Sequence, residues 1–237
     1  MELLTYSTIA STQDIARQIA LDGHVLPFAV WAETQSQGRG RQGKGWDSPL
    51  GGLWITLALA VPSAEAVRQS AIVAAHAVAS VVLTETGVRT LAKWPNDLLV
   101  ERRKVCGILA ETLVQDGSTI LLVGIGVNVN NIIPSNRTSR MTSLRGELGC
   151  SFNLLHLATS VMNMVELDIS TLMLRGFDAF VPWIEANLAL RGELITVDFN
   201  DKKELGRVAG LSRTGALLLE NPDGSLKEVD AGSVYNW

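Results

Sequence analysis

Between two apolar runs, residues 25–33 and 53–61, lies a segment that admits no regular secondary structure. Residues 34–52 carry Gly38, Gly40, Gly43, Gly45, Pro49, Gly51 and Gly52. Glycine loses the most backbone entropy on entering a helix or strand, and proline lacks a donor. The flanking runs, rich in Val, Phe, Trp and Leu, read as strands. A loop this long inside a compact domain is functional or disordered. Its centre, Gly38-Arg39-Gly40-Arg41-Gln42-Gly43, fits the string G-x-G-x-x-G, but the dinucleotide-binding version must open a helix. Lys44-Gly45-Trp46-Asp47-Ser48-Pro49 follows and cannot begin one, which excludes a dinucleotide fold. A Gly-rich loop still offers backbone N–H groups to an anion. Arg39, Arg41 and Lys44 add positive charge with no acid among them. Length alone fits a plain solvated loop; two arginines between glycines favour a loop that closes on an anion.

The rest of the chain supplies a scaffold for that loop. Ser11-Thr12-Gln13-Asp14 precedes Ile15, Ala16, Ile19 and Ala20, which predicts a capped helix ending near Gly23. Ser63 caps a second, Ala-rich helix to about residue 86, apolar nearly all round and therefore buried. Short strands follow over 90–94, 98–100, 104–114 and 119–129, with Glu101-Arg102-Arg103 and Asp116-Gly117 as tight turns. Strands so joined make an antiparallel or mixed sheet. Residues 130–152 read as irregular. Asn153 caps helical periodicity through Val165, and a further helix is expected over 170–189, interrupted near Gly176 and Pro182. From residue 190 short strands (193–199, 206–212, 216–220, 227–230) alternate with turns at Asn200-Asp201, Arg213-Thr214-Gly215 and Pro222-Asp223-Gly224. The predicted fold is α+β, a mixed β-sheet packed with helices over residues 1–189, plus a small β-barrel over 190–237.

A chain of 237 residues buries about 70% of its unfolded surface and needs neither disulfide nor structural metal. Cys106 and Cys150 form no framework and read as buried small apolar residues of a reducing compartment. The net charge is 20 − 24 = −4 and aromatics are 5%. Both argue against a general nucleic-acid binder. The N-terminus shows no signal peptide. The longest apolar run, 71–83, is broken by His76 and Ser80 and falls short of the roughly 20 residues a membrane span needs. The chain is expected to be soluble and cytoplasmic.

Several other clusters could carry chemistry. Lys93-Trp94-Pro95-Asn96-Asp97 breaks a strand, as a structural turn or as part of a site. Lys104 opens the apolar strand Val105-Cys106-Gly107-Ile108-Leu109-Ala110-Glu111, as a solvated end or as a ligand group. Gly107, Gly124 and Gly126 interrupt strands and mark bulges or close approach of a ligand. Ser11 and Thr12 cap a helix or bind a polar ligand. His24, His76 and His156 show no metal spacing, and the last two read as packing residues.

Taken in order, Ser11-Thr12-Gln13, Gln35, the Gly38–Gly43 loop with Trp46, Lys93-Trp94-Pro95-Asn96-Asp97, Lys104-x-x-Gly107-Ile108-Leu109-x-Glu111, Gly124-x-Gly126-x-Asn128 and Thr142-Ser143-Leu144 resemble the biotin–protein ligases. Those enzymes biotinylate the biotin carboxyl carrier protein of acetyl-CoA carboxylase. The resemblance spans nearly the whole chain. It implies a class II synthetase-like catalytic domain and a C-terminal SH3-like barrel. Two features depart from the pattern. Gln13 stands where the first motif usually ends in Asn. The chain also begins where the catalytic domain begins, leaving no room for the helix-turn-helix of repressor members, so a single-function ligase is expected.

The resemblance also implies a chemistry. Biotin's carboxylate attacks the α-phosphate of ATP, giving biotinyl-5′-AMP and pyrophosphate, and the carrier's lysine amine then attacks the acyl carbon and releases AMP. Lys104, Arg39, Arg41 and Asp97 are implied as catalytic. Ser11, Thr12, Gln13, Gln35, Arg39, Gly40, Arg41, Trp46, Lys104 and Gly107 are implied to bind biotin. Arg39, Arg41, Lys93, Asn96, Lys104 and Asn128 are implied to bind ATP, with Asn128 at the adenine edge. Mg²⁺ arrives with ATP rather than in a protein cage, Asn96 being the side chain that could reach it. A monomer or homodimer, acting on biotin, ATP and the carrier without nucleic acid or membrane, is expected. A lipoate–protein ligase and a non-catalytic biotin or adenylate sensor are the alternatives. The Gly-Arg-Gly-Arg and Lys-Trp-Pro-Asn-Asp strings speak for biotin over lipoate, and the joint presence of Arg39, Arg41 and Lys104 speaks against a sensor.

Overall fold

A computed structural model describes residues 1–62, 67–199 and 202–235. Its larger part is a seven-stranded mixed sheet in the order β1-β2-β3-β7-β6-β5-β4. The strands are β1 (Glu2–Ile9), β2 (Phe28–Gln35), β3 (Leu53–Val61), β4 (Leu91–Lys93), β5 (Asp97–Val100), β6 (Arg103–Gln115) and β7 (Ser118–Val127). The helices are α1 (Thr12–Leu21), α2 (Val67–Thr86), α3 (Leu144–Leu148), α4 (Leu154–Arg175) and α5 (Val181–Asn187). β1 runs parallel to β2 through α1, and every other pair in the sheet is antiparallel.

Period-2 alternation divides the sheet into an apolar face and a polar one. Leu53, Ile55 and Leu57 of β3, Ile108 of β6, and Val123 and Ile125 of β7 are buried against α2 and α4. These helices contribute Ala74, Ala75, Val78, Val161 and Val165. Small side chains on α2 let it lie close to the sheet, as its all-round apolar sequence predicts. The opposite face carries Thr56, Gly107, Glu111, Gly124 and Gly126, and α1 covers part of it, packing Ala16 and Ala20 with Phe28 and Val30 of β2, Ala58 of β3, and Ile120 and Leu122 of β7. A cavity occupies the remainder of that face.

The smaller part is a five-stranded antiparallel sheet, order β11-β10-β9-β8-β12: β8 (Leu194–Phe199), β9 (Lys202–Leu211), β10 (Leu217–Glu220), β11 (Leu226–Val229) and β12 (Ser233–Tyr235). Among the described residues its end strands do not pair with each other, so the small SH3-like barrel expected here takes the form of an open five-stranded sheet. Its core, Ile195, Val197, Val208, Leu217, Leu219 and Val229, is continuous with Trp94, Leu99 and Leu188 of the larger part.

Several sequence expectations change. β1 was not predicted, because an edge strand reading Thr-Tyr-Ser-Thr is mostly exposed and lacks the apolar alternation of its neighbours. α4 continues unbroken to Arg175 and ends at Gly176, so the helix expected from 170 is the end of α4, a 3₁₀ turn over Phe177–Phe180, and α5. A short α3, capped by Ser143, lies within the stretch read as irregular. Cys106 is buried, but Cys150 is exposed. His76 does pack, against Phe180 and Trp183, and contacts Asp168 at 2.6 Å. His156 instead lies on the surface beside Glu85. The Ser63 cap and the Asn200-Asp201 turn lie outside the described residues. α4 is long and apolar enough by composition to cross a membrane, and its Leu157, Val161 and Val165 are buried in the core.

Candidate active site

The polar face forms the floor of a cavity of about 360 Å³. Its first wall is the start of α1. Ser11 occupies the N-cap position, yet its hydroxyl makes no cap bond. The residue is 1% exposed and its Oγ has no partner. Thr12 donates its backbone N–H and its hydroxyl to Gln35 Oε1, at 2.7 and 3.0 Å. Gln35 in turn donates to Ser48 Oγ at 2.7 Å. Thr56 Oγ1 lies 2.9 Å from Thr12 Oγ1 and 3.2 Å from Gln13 Oε1, to which it donates. Ser11, Thr12, Gln13, Gln35 and Thr56 thus supply this end of the cavity with neutral hydrogen-bonding groups of fixed orientation.

The glycines on the floor exist for close approach. Gly107 and Gly126 are cross-strand partners on β6 and β7. The Trp46 indole lies on the bare patch they leave. A Cβ at Gly126 would come within 2.5 Å of Trp46 Nε1, and one at Gly107 within 3.0 Å of its ring. Trp46 also meets Trp54 edge to face, with ring centroids 6.4 Å apart. Lys104 Nζ stands 4.8 Å from the Trp46 ring centre, a cation–π distance.

The loop predicted to close is a small hairpin over the mouth. Gly40 N donates to Lys44 O at 2.7 Å, and Trp46 N to Gly38 O at 2.8 Å. Its two arginines diverge. Arg41 turns inward and donates to Asn96 Oδ1 at 3.2 Å and to Gly232 O at 3.3 Å. Arg39 turns toward α1 and pairs with Asp14 and Glu111. Arg41 loses some of its basicity to burial, which Asp97 opposes. The bond to Asp14 raises that of Arg39.

The far end is cationic. Lys104 Nζ lies 2.7 Å from Asp97 Oδ1. Burial pushes the Lys93 ammonium down to about 8, with Asp97 opposing the shift and Lys104 and Lys44 adding to it. In the Lys93–Asp97 turn, Trp94 donates its indole N–H to Gly215 O at 3.1 Å, so it anchors the smaller sheet. Asn96 Nδ2 donates to Ile108 O at 2.6 Å while Oδ1 accepts from Arg41. Asn96, expected as the group that could reach a metal, therefore has both ends of its amide in use. Among the described residues no three His, Cys, Asp or Glu side chains converge as a metal cage. Asp97 is the carboxylate beside the cations. One carboxylate plus substrate phosphates is the way Mg²⁺ is ordinarily held, so the residues fit a metal delivered with a nucleotide.

Of the residues expected at the site, Asn128 alone does not line this cavity. It is 2% exposed, and its Oδ1 accepts from Asn131 Nδ2 at 3.1 Å while its own Nδ2 has no partner. Its partner Asn131 lines a second hollow of about 390 Å³, with Arg103, Asn130, Thr142, Ser143 and Arg145. Met141 lines both hollows. Thr56, Glu111 and the β12 residues Ser233, Val234 and Tyr235 reach the site without having been assigned to it. Thr56 was detectable as the one hydroxyl among the apolar residues of its strand. Nothing in the sequence marks Ser233.

The sequence profile of the Biotin/lipoate A/B protein ligase family matches residues 5–130, and that of the Biotin protein ligase C terminal domain matches residues 192–237. The chain belongs to the biotin/lipoate A/B protein ligase family. Within it, the chain is 31% identical over 221 residues to the biotin--[acetyl-CoA-carboxylase] ligase of Paracoccus denitrificans, covering 87% of this chain and 89% of that one. It is 29% identical to the bifunctional ligase/repressor BirA of Bacillus subtilis, covering 97% of this chain and 72% of the relative. Its fold is similar to that of the Aquifex aeolicus biotin protein ligase in complex with biotin and ATP. The TM-score is 0.86 at 28% identity, over 99% of this chain and 97% of that one.

Proposed function

We infer that this chain is an ATP-dependent biotin–protein ligase. It forms biotinyl-5′-AMP and transfers biotin to a lysine of the biotin carboxyl carrier protein of acetyl-CoA carboxylase. The observation that carries the reading is the polarity of one cavity. Ser11, Thr12, Gln13 and Gln35 offer neutral hydrogen bonds at one end, and Lys93, Lys104 and Arg41 offer charge at the other. A ligand with a neutral urea ring and a carboxylate tail suits both.

In the first step a carboxylate must approach a polyphosphate, and the chain's task is to remove their repulsion. Lys104 and Arg41 lie at the meeting point and stabilise the charge developing on the α-phosphate. Preorganised charge of this kind is usually the largest single catalytic contribution. Arg39 reaches the phosphates by leaving Asp14 and Glu111, and Lys93 holds the polyphosphate. Mg²⁺ bound with ATP beside Asp97 supplies further charge neutralisation. The nucleoside extends past Met141 into the second hollow, toward Asn128. Trp46 and Gly40 close the hairpin and exclude water from the mixed anhydride. In the second step the carrier's amine attacks the acyl carbon and AMP leaves.

We assign residues 1–189 to catalysis and 190–237 to a unit whose last strand completes the cavity. The acidic net charge of −4 supports action without nucleic acid; action in the cytoplasm as a monomer or homodimer is part of the same proposal. The test is ATP–pyrophosphate exchange with biotin and, separately, with lipoate, followed by labelling of a purified carrier domain. Biotin-dependent exchange and carrier labelling are expected. Exchange with lipoate alone, or biotin binding without exchange, overturns the reading in favour of a lipoate ligase or a sensor.

A further inference from the structure

Three donors converge on Glu111, a carboxylate that enters the mechanism above only as a resting partner of Arg39. Its Oε2 accepts from Gln13 Nε2 at 3.1 Å and Arg17 Nη2 at 2.9 Å, and its Oε1 from Arg39 Nη2 at 3.2 Å. Burial pushes its carboxyl up. The bonds from Gln13 and Arg17 and the charges of Arg39 and Arg17 outweigh that and hold it below the usual carboxylate range. An ionised carboxylate only accepts hydrogen bonds. Gln13 can therefore meet Glu111 only with its NH₂ end, and its oxygen is turned away. That oxygen lies over Gly124, where a Cβ would be 2.5 Å from it. It receives one bond there, from Thr56. A carbonyl oxygen has two lone pairs, so one is left for a ligand in a residue only 3% exposed.

We propose that Glu111 is a positioning residue for substrate recognition: by fixing the Gln13 amide, it makes position 13 an acceptor that selects a ligand carrying an N–H donor. The inference rests on the biotin reading, since biotin's ureido ring carries such donors beside its carbonyl. Gln13 also acquires a reason for its length. With its backbone on α1, its longer side chain reaches the carboxylate on β6 while keeping its oxygen over Gly124.

The test separates affinity from turnover. Glu111→Gln removes the acceptor-only constraint, because the new amide meets Gln13 equally well with either end. KM for biotin should rise about tenfold, the order expected for losing one well-placed hydrogen bond, with kcat and KM for ATP moved far less. Combining Gln13→Glu with Glu111→Gln restores a donor facing an acceptor, with a second acceptor oxygen over Gly124, and should recover most of the biotin affinity. Thermal melting of each variant checks the fold. An unchanged KM for biotin in folded Glu111→Gln overturns the inference, as does failure of the double exchange to recover affinity. A wild-type protein inert with biotin overturns the functional reading and this inference with it.

Discussion

The guanidinium of Arg41 donates to the main-chain oxygen of Gly232 at 3.3 Å, across 191 positions of sequence. The same nitrogen lies 3.2 Å from Asn96 Oδ1, and Ser233 Oγ donates to Gln42 Oε1 at 3.2 Å. The arginine hairpin is thus gripped on one side by the Lys93–Asp97 turn and on the other by the last strand of the chain.

That grip makes Arg41 the natural retaining group for a reactive adenylate. A charge-assisted hydrogen bond is worth roughly 1.5–3 kcal/mol, or about 10–150-fold in residence time. Arg41→Gly should release biotinyl-AMP before the carrier consumes it, without abolishing its formation. Incubation with biotin, ATP and an unrelated lysine-rich protein should then label the bystander. A bystander left unlabelled by a variant that still makes the adenylate places the retaining group elsewhere.

Lys104 lies between Asp97 and the Trp46 ring, so its charge is fixed in place before substrates arrive. Lys104→Ala should cut biotin-dependent pyrophosphate exchange by at least about a hundredfold, as loss of a preorganised charge does elsewhere. Circular dichroism should show the fold intact. Near-normal exchange in the folded variant removes Lys104 from the chemistry.

Lys93 gives the site a pH dependence. Its ammonium, pushed down to about 8, begins to lose its charge there, so kcat/KM for ATP should fall as pH rises through that value. Lys93→Arg keeps the charge and should move this limb to higher pH. The sign for stability is opposite. Above about 8 the unfolded chain holds the proton more tightly than the folded one, so this group's contribution to stability rises with pH. Activity lost while the melting temperature holds therefore reports the site and not unfolding. An alkaline limb that Lys93→Arg leaves in place assigns it to another group.

Gly126 tests the seat of Trp46. In Gly126→Ala the new methyl would lie 2.5 Å from Nε1 and 2.8 Å from Cε2, so the indole must leave the floor and the Lys104 contact with it. Pyrophosphate exchange should drop roughly tenfold, the order of a desolvated cation–π contact with its packing. Gly210→Ala, whose methyl would meet nothing within 4 Å, is the control and should retain activity. Equal exchange rates in the two variants refute the seating of Trp46 as a functional contact.

Much of the fold was legible because its signals are local. The Ala-rich α2, the strands around Thr56 and Gly124, and the short strands after residue 190 follow from periodicity and turn residues. β1 was not legible: its order comes from parallel pairing with β2, with Glu2 opposite Phe28, and parallel pairing leaves no mark on one strand alone. The unbroken α4 was missed because its apolar periodicity was followed only to Val165; Gly176, where φ is 75°, reads in the sequence as an interruption and is where the helix ends. The site was legible as a set of residue types. Their division of labour was not, since Arg39 and Arg41 are chemically alike and diverge only through neighbours far away in sequence.

What the sequence by itself determined is the chemistry on offer: a glycine-arginine loop that cannot be a helix, a lysine at the mouth of an apolar strand, a helix start rich in hydroxyls and amides, and floor positions without side chains. These follow from backbone entropy, alternation and charge, which act over a few residues. Tertiary structure decided which partner each group meets. Glu111 faces Gln13, Trp46 lies on Gly107 and Gly126, and Arg41 reaches Gly232 because sheet register and the docking of the smaller sheet bring them within bonding distance. Hydrogen bonds and desolvation depend on atomic separations of a few ångströms, and those separations exist only once the chain has folded.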